Sequence, residues 1–313
     1  MTQRAGVGVQ PPPQKTRLVH HGGRLVPPVE AALPVGSIAM RYAISVFEGV
    51  RLYVQGDGSL RPWLFDEHLE RLRFSCRAME LDDESCGSVP DVVDELLAVN
   101  GIAEDAYCRI AVSAGNAGDI GAVAVPVLTV SVVSMGRKRW LGEGRGMRLR
   151  VSSCQRVPAA AFPRGVKNIS TYAGARLASA EARRAGYDEC LLVSGDGVVS
   201  EAPTSAVFAA RRGTLVTPRL VDDVLPSITR AWVLAVAPKL GIAAAADELE
   251  AAALRQADEA FLCGTGIEFG PVAEVDDAVL GGCPGPVTRA LVDEYFRQAR
   301  GEAPVTRVEW QQG

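Results

Sequence analysis

The chain has 313 residues, 48% of them hydrophobic, with a formal charge of −4 and a pI near 5.6. That length allows one large domain or two, and the charge leaves no basic footprint for nucleic acid. No run approaches a membrane span, and the N-terminus lacks a charged start followed by an apolar core, so a cytoplasmic location is expected, with neither secretion nor membrane attachment. Cys76, Cys86, Cys108, Cys154, Cys190, Cys263 and Cys283 stand singly with no C-x-x-C pair, and His20, His21 and His68 are the only histidines. Reduced, mostly buried thiols follow, and no metal centre is expected.

Residues 1–16, with Gln10-Pro-Pro-Pro-Gln14, are expected to remain a disordered tail. A smaller N-terminal unit, 17–135, follows. Its segments Gly36–Met40, Val50–Val54 and Leu60–Leu64 read as strands, with Gly56-Asp-Gly58 as a hairpin turn. Asp66 is the predicted N-cap of a helix with Leu69, Leu72, Cys76 and Met79 on one face. A second helix is predicted over Val89–Val99, then strands over Tyr107–Ala114 and Val125–Val133. The charged, glycine-rich run 136–146 reads as an interdomain linker to a larger unit, 147–313.

In that second unit a strand over Met147–Ser152 leads through a loop carrying Lys167 to a helix that runs to Arg184 and is closed by Gly186. Glu189–Val193, the turn Ser194-Gly-Asp-Gly197 and Val198–Glu201 read as a hairpin, followed by strands at Val207–Ala210 and Thr214–Thr217. Pro226-Ser-Ile-Thr opens a helix, another strand ends at Cys263, Gly264-Thr-Gly266 makes a turn, and Pro286–Arg300 is the last helix. Strands and helices do not alternate strictly, so the class is α+β or mixed α/β.

The positive charge is written almost entirely as arginine: of 33 Lys+Arg, the lysines are Lys15, Lys138, Lys167 and Lys239. Lys167 follows a loop and leads into a small-residue helix, and unlike arginine a lysine can lose its proton and attack a carbonyl. A phosphate-bearing aldehyde cofactor would further need a carboxylate for its pyridine nitrogen and N–H groups at a helix start. Glu201 is a carboxylate in the small, apolar stretch Val198–Pro203, which is expensive without a partner; alone it also reads as a solvent-facing strand end. Ser227 at a helix start reads equally as an ordinary cap, Gly264-Thr-Gly266 as a plain turn, and Arg71 as a solvated residue on the polar side of its helix.

In their order these residues resemble fold-type IV pyridoxal-phosphate enzymes, close to the branched-chain amino acid aminotransferases. The segments carrying the resemblance are Ser45-Val-Phe-Glu-Gly-Val-Arg51, Glu67-His-Leu-Glu-Arg-Leu72, Glu181–Glu189, Val199-Ser-Glu201, Leu225-Pro-Ser-Ile-Thr-Arg230, Phe261-Leu-Cys-Gly-Thr265 and Gly285-Pro-Val-Thr288. It spans about Tyr42 to Arg300 and implies a two-domain fold like that of D-amino acid aminotransferase. It further implies that Lys167 holds pyridoxal 5′-phosphate covalently and serves as acid and base, and that Glu201 pairs with the ring nitrogen. Tyr172 would contact the phenolic oxygen, while Arg71, Ser227, Ile228, Thr229 and Thr265 would grip the phosphate. Tyr42, Phe47, Arg51, Tyr107, Arg109, Met135, Gly266 and Ile267 fall at substrate-side positions. A homodimer acting on an amino acid and a 2-oxo acid, glutamate/2-oxoglutarate being one pair, is implied as well.

The chain departs from the family where Asn168-Ile-Ser-Thr171 replaces a small-Gly-Gly-Asn stretch, Ala202–Ala206 replaces a Gly-rich segment, Ser227 replaces Gly and Met135 replaces an aromatic residue. These changes bear on substrate choice more than on ring chemistry. Within the same fold a lyase of the aminodeoxychorismate type, or a D-amino acid or amine transaminase, stands as the alternative. A non-catalytic protein that merely retains the cofactor is the third reading, against which the Lys167 and Glu201 pair argues.

Overall fold

The computed structural model describes residues 16–137, 139–142 and 145–311. The expected tail lies outside the described residues except for Thr16, whose hydroxyl donates to the Val132 carbonyl. The first sheet comprises β1 (Val19–His21), β2 (Arg24–Val26), β3 (Ser45–Val54), β4 (Leu60–Pro62), β5 (Ala106–Ala114) and β6 (Pro126–Ser134), in the order β2-β1-β6-β5-β3-β4. Between β2 and β3 lies α1 (Ile38–Tyr42); between β4 and β5 lie α2 (Phe65–Ala78), which packs on β3, and α3 (Val89–Asn100), which packs on β6.

The second sheet comprises β7 (Met147–Gln155), β8 (Glu189–Val193), β9 (Ala206–Arg211), β10 (Thr214–Thr217), β11 (Ala243–Ala246), β12 (Glu259–Gly264), β13 (Glu268–Val275) and β14 (Ala278–Val279). Its order is β11-β10-β9-β12-β13-β7-β8, with β14 on β13, and it mixes parallel and antiparallel pairs. Helices α4 (Arg139–Gly142), α5 (Tyr172–Arg184), α6 (Ile228–Val236), α7 (Ala251–Leu254) and α8 (Pro286–Ala299) complete a mixed α/β architecture. The change from one sheet to the other falls between Ser134 and Met147. No helix among the described residues is long and apolar enough to cross a membrane.

Strand β3 is buried almost along its whole length, because each of its faces has a cover. Val46, Val50 and Leu52 enter the core under α2 and α3, whereas Tyr53 on the other face joins Trp63, Phe208, Trp232, Phe261 and Tyr295 in an aromatic cluster that includes strands and helices of the second sheet. Asp105 and Arg300 tie the two halves at another point, with bonds of 2.6 and 2.5 Å. Burial pushes the Asp105 carboxyl up, but the bonds from Arg300 and from the Val54 N–H win and hold it below its ordinary 3.8. A depressed folded pKa stabilises above the unfolded value, and that stabilisation is lost as the pH falls through the folded one. Asp105→Asn is therefore expected to lower stability by about 1–2 kcal/mol at pH 7, and by progressively less below pH about 4. Denaturant unfolding at pH 7 and pH 3 measures both; an equal loss at the two values would refute the assignment.

Three local expectations are corrected. Gly36–Met40 is not a strand: the Ser37 hydroxyl accepts from the Met40 N–H (3.3 Å) and starts α1. Asp66 is not the N-cap of α2, because the left-handed Leu64 (φ 49°) caps the helix two residues earlier and Asp66 pairs with Arg307 instead (3.0 Å). The run 136–146 contains the short helix α4. The hairpin expected at Val198–Glu201 does fold back on β8: the Leu192 and Ser194 N–H groups donate to the Glu201 and Val198 carbonyls (2.8 Å each) and the Ser200 N–H to the Leu192 carbonyl (2.9 Å), while the Val199 N–H turns to the Leu249 carbonyl (2.9 Å).

Candidate active site

The residues around Lys167 add to the edge of β3. The Lys167 carbonyl accepts from Phe47 N–H and the Ile169 N–H donates to the Ser45 carbonyl, each at 3.0 Å, while the Lys167 N–H donates to Ser75 Oγ on α2 (3.1 Å). Gly165 permits the loop to close, with φ +79° and its Cβ direction facing Phe74 and Trp310 at 3.3 and 3.5 Å. So fixed, Lys167 donates from Nζ to Tyr172 Oη at 2.7 Å, and its Nζ stands 4.7 Å from the Phe47 ring centre. Tyr172 is the first residue of α5.

These side chains open on a cavity of about 690 Å³, within the range of small-molecule sites. One end is built by Arg71, by Ser227 and Ile228 at the start of α6, and by Thr265 and Gly266 in the turn from β12 to β13. Ser227 Oγ takes the Arg230 N–H (3.2 Å), and the N–H groups of Ile228 and Thr229, in the first turn, have no intrahelical acceptor. They are suited to an anion. Arg71 is not on a solvated face: it is 4% exposed, gripped by Glu48 and bonded to the Pro226 carbonyl. The sequence hides this because the helix stripe His68, Arg71, Ser75 is polar yet faces inward.

Glu201 lines the same cavity at 5% exposure. Its Oε1 accepts from Arg156 Nε (2.5 Å) and its Oε2 from the Leu225 N–H (3.2 Å), which leaves lone pairs for a further donor. Burial raises its carboxyl above the ordinary 4.5 in spite of Arg156. A second cation at this point would favour the ionised form.

On the sheet side, the pairing of Gly49 with Arg109 and of Arg51 with Tyr107 brings Phe47, Tyr107 and Arg109 to the cavity. The Arg109 guanidinium lies 4.1 Å from the Phe47 ring centre. Gly49 has to be glycine, since a Cβ there would meet Tyr107 Oη at 2.1 Å. Burial pushes the Tyr107 phenol up, so it remains a donor. Gly266 and Ile267 line the cavity too.

Four expected residues do not line it. Tyr42 packs against the first core beneath Arg41. Met135 follows β6, where its N–H donates to the Asp105 carbonyl. The Thr229 side chain is buried in α6 away from the cavity, although its N–H remains at the helix start. Arg51 lies further along β3, fully buried, where it donates to Glu268 Oε1 (2.9 Å) and the Gly136 carbonyl (3.2 Å). Tyr53 Oη donates to the same Glu268 oxygen. Arg51→Met is expected to destabilise by about 3–5 kcal/mol because it strands a buried carboxylate. Adding Glu268→Gln should recover part of that loss in thermal unfolding; a strictly additive double variant would contradict the pairing.

Reading the sequence missed Arg156, Trp140, Ile169, Thr204 and Leu225. Trp140 had a signal, an aromatic residue inside a charged, glycine-rich run; Arg156 had none, because only the folded chain brings β7 to Glu201. In chemical terms the cavity offers an amine, a buried carboxylate and an anion-binding end. That set fits an aldehyde with a basic ring nitrogen and a phosphate.

The family description amino-transferase class IV matches residues 45–275. The probable branched-chain-amino-acid aminotransferase of Aquifex aeolicus is 30% identical over 90% of this chain and 91% of its own length. The branched-chain-amino-acid aminotransferase of Salmonella typhimurium is 31% identical over 92% and 95%. Among solved structures, the branched-chain aminotransferase of Thermoproteus uzoniensis with norvaline superposes with a TM-score of 0.85 at 32% identity, covering 92% of this chain and 96% of that one. The branched-chain amino acid aminotransferase of Thermobaculum terrenum in its PLP-form, the holo-form, gives 0.84 at 28% identity, covering 93% and 96%.

Proposed function

The chain belongs to the class IV aminotransferase family, and from that premise we propose which residues carry its transamination and which substrates it takes. The enzyme uses pyridoxal 5′-phosphate, which supplies an electron sink for the pair left when a substrate Cα loses its proton. Lys167 would supply the amine for the cofactor aldehyde and, once substrate has displaced it, the base that takes and returns the Cα proton. Glu201 would pair with the ring nitrogen and keep it protonated, and Tyr172 would donate to the phenolic oxygen. Arg71, Ser227, the N–H groups of Ile228 and Thr229, and Thr265 would hold the phosphate. The observation that carries this reading is that the Lys167 amine and the Glu201 carboxylate, 34 positions apart in the chain, open on one cavity closed by an anion-binding helix start.

The amino donor is an L-amino acid with an apolar side chain, branched or aromatic, and 2-oxoglutarate is the acceptor. Phe47, Trp140, Ile169 and Ile267 give the wall an apolar surface, while Tyr107 and Arg109 offer donors to a carboxylate. A small unit over 17–135, a linker over 136–146 and a large unit over 147–313 are part of the same proposal, as are a cytoplasmic location and a homodimer. Exposed Met40, Ile120, Val123 and Val125 supply apolar surface that a second copy would cover.

A panel of donors, scored by the spectral change of the bound cofactor, tests the substrate side. L-glutamate and L-leucine are expected to convert the cofactor to its amine form. Inertness to L-glutamate together with conversion by D-alanine or a simple amine would overturn it in favour of the alternative branch.

A further inference from the structure

We propose that Glu48, backed by His68, is a positioning residue for the cofactor phosphate, holding the Arg71 guanidinium turned toward the cavity. The inference rests on the reading of Arg71 as a phosphate ligand. Along β3, Phe47 and Gly49 line the cavity, and the intervening Glu48 falls on the opposite, helix-facing side of the strand. There it is fully buried between Val46 and Val50 of the first core. A carboxylate in that setting is unfavourable unless paired. Three donors converge on it: Arg71 Nε at 2.6 Å, Arg71 Nη2 at 2.9 Å and His68 Nδ1 at 2.8 Å. Burial would raise its pKa, but Arg71 and His68 outweigh that and drive it well below the usual carboxylate range.

The geometry says what the triad is for. Arg71 Nη1 donates to the Pro226 carbonyl (2.7 Å), one residue ahead of the Ser227 cap of α6. Glu48 thus fixes one edge of the guanidinium from β3, and the entrance to α6 fixes the other. Three of the five N–H donors of an arginine are taken by these bonds, which leaves two for a ligand at the cavity that Arg71 lines. Glu48 screens part of the Arg71 charge; in return the fork is already aimed, so phosphate binding need not order a long side chain. His68 bonds the same carboxylate oxygen that meets Nη2 and keeps the carboxylate from rotating away.

The test compares the affinity of the full-length apoenzyme for pyridoxal 5′-phosphate with that for pyridoxal, which lacks the phosphate. Glu48→Gln is expected to reduce the ratio of the two affinities by about 10- to 100-fold, the range seen when a supporting partner of a ligating side chain is lost. Glu48→Asp is expected to restore part of it, and His68→Gln to produce a smaller fall in the same direction. Arg71→Lys serves as reference. If Arg71→Lys lowers the ratio while Glu48→Gln leaves it unchanged, or weakens both ligands equally, the positioning role is wrong and Arg71 keeps its own. If Arg71→Lys does not change the ratio, the reading of Arg71 itself fails. Should Glu48→Gln not fold, His68→Gln decides: a lowered ratio supports the proposal and an unchanged one overturns it.

Discussion

Lys167→Ala is expected to remove transamination by about 10⁴-fold or more, since one substitution eliminates both the amine that bonds the cofactor and the base that moves the proton. Borohydride reduction of the holoenzyme followed by peptide mass analysis should find the cofactor on the Lys167 peptide in the native chain and on no peptide in the variant. Lys239, the other described lysine, is exposed with Nζ bonded to Thr306 Oγ1 (3.1 Å) and does not line the cavity. Trapping that persisted in the variant would show that another amine carries the bond and would remove the basis of the assignment. The protein should stay folded, because the backbone bonds of residue 167 to Phe47 and Ser75 do not use the side chain.

The second large effect is expected at Glu201. Glu201→Gln keeps the shape but removes the charge that would hold the ring nitrogen protonated, and kcat should fall by about 10²- to 10³-fold, the usual loss on deleting one preorganised electrostatic contact. Arg156 offers an independent check through pH. Burial raises the Glu201 carboxyl and the adjacent guanidinium opposes that rise. Arg156→Met removes the opposition, so ionisation of Glu201 moves to higher pH still. The ionised form is the working one; the rate of Arg156→Met should therefore climb with pH along an acid limb displaced upward from that of the native enzyme. Glu201→Gln should lack this limb. Coincident pH–rate profiles for Arg156→Met and the native chain would refute the coupling.

Residues whose signal is local were legible. Ser227 caps α6, Gly186 closes α5 with φ +89°, and β5, β6 and β8 to β10 fall within a few residues of their expected bounds. Lys167 and Glu201 were visible as a rare lysine and an acid in an apolar stretch, but each alone also had a bland reading and the resemblance gave them their expected roles. Where local propensity was weak, the sequence was silent. Four alanines form β11 because β10 pairs with them in parallel, and β13, interrupted by Gly270 and Pro271, is held by β12 and β7 on its two sides. The same holds for the site. Arg71 by itself read as a solvated residue and Arg51 was expected on the substrate side, yet both are buried, one against Glu48 at the cavity and one against Glu268 away from it.

The sequence by itself determined that an amine, an acid, a helix start and a glycine-flanked turn stand in an order that resembles one family. The tertiary structure alone decided which arginine lines the cavity, that Arg156 bonds Glu201, and that Trp140 walls the cavity. The physical reason is reach. Helix caps, turns and alternation are fixed by neighbours a few residues away, whereas a buried charge depends on a counter-charge that folding carries in from 23, 45 or 217 positions distant.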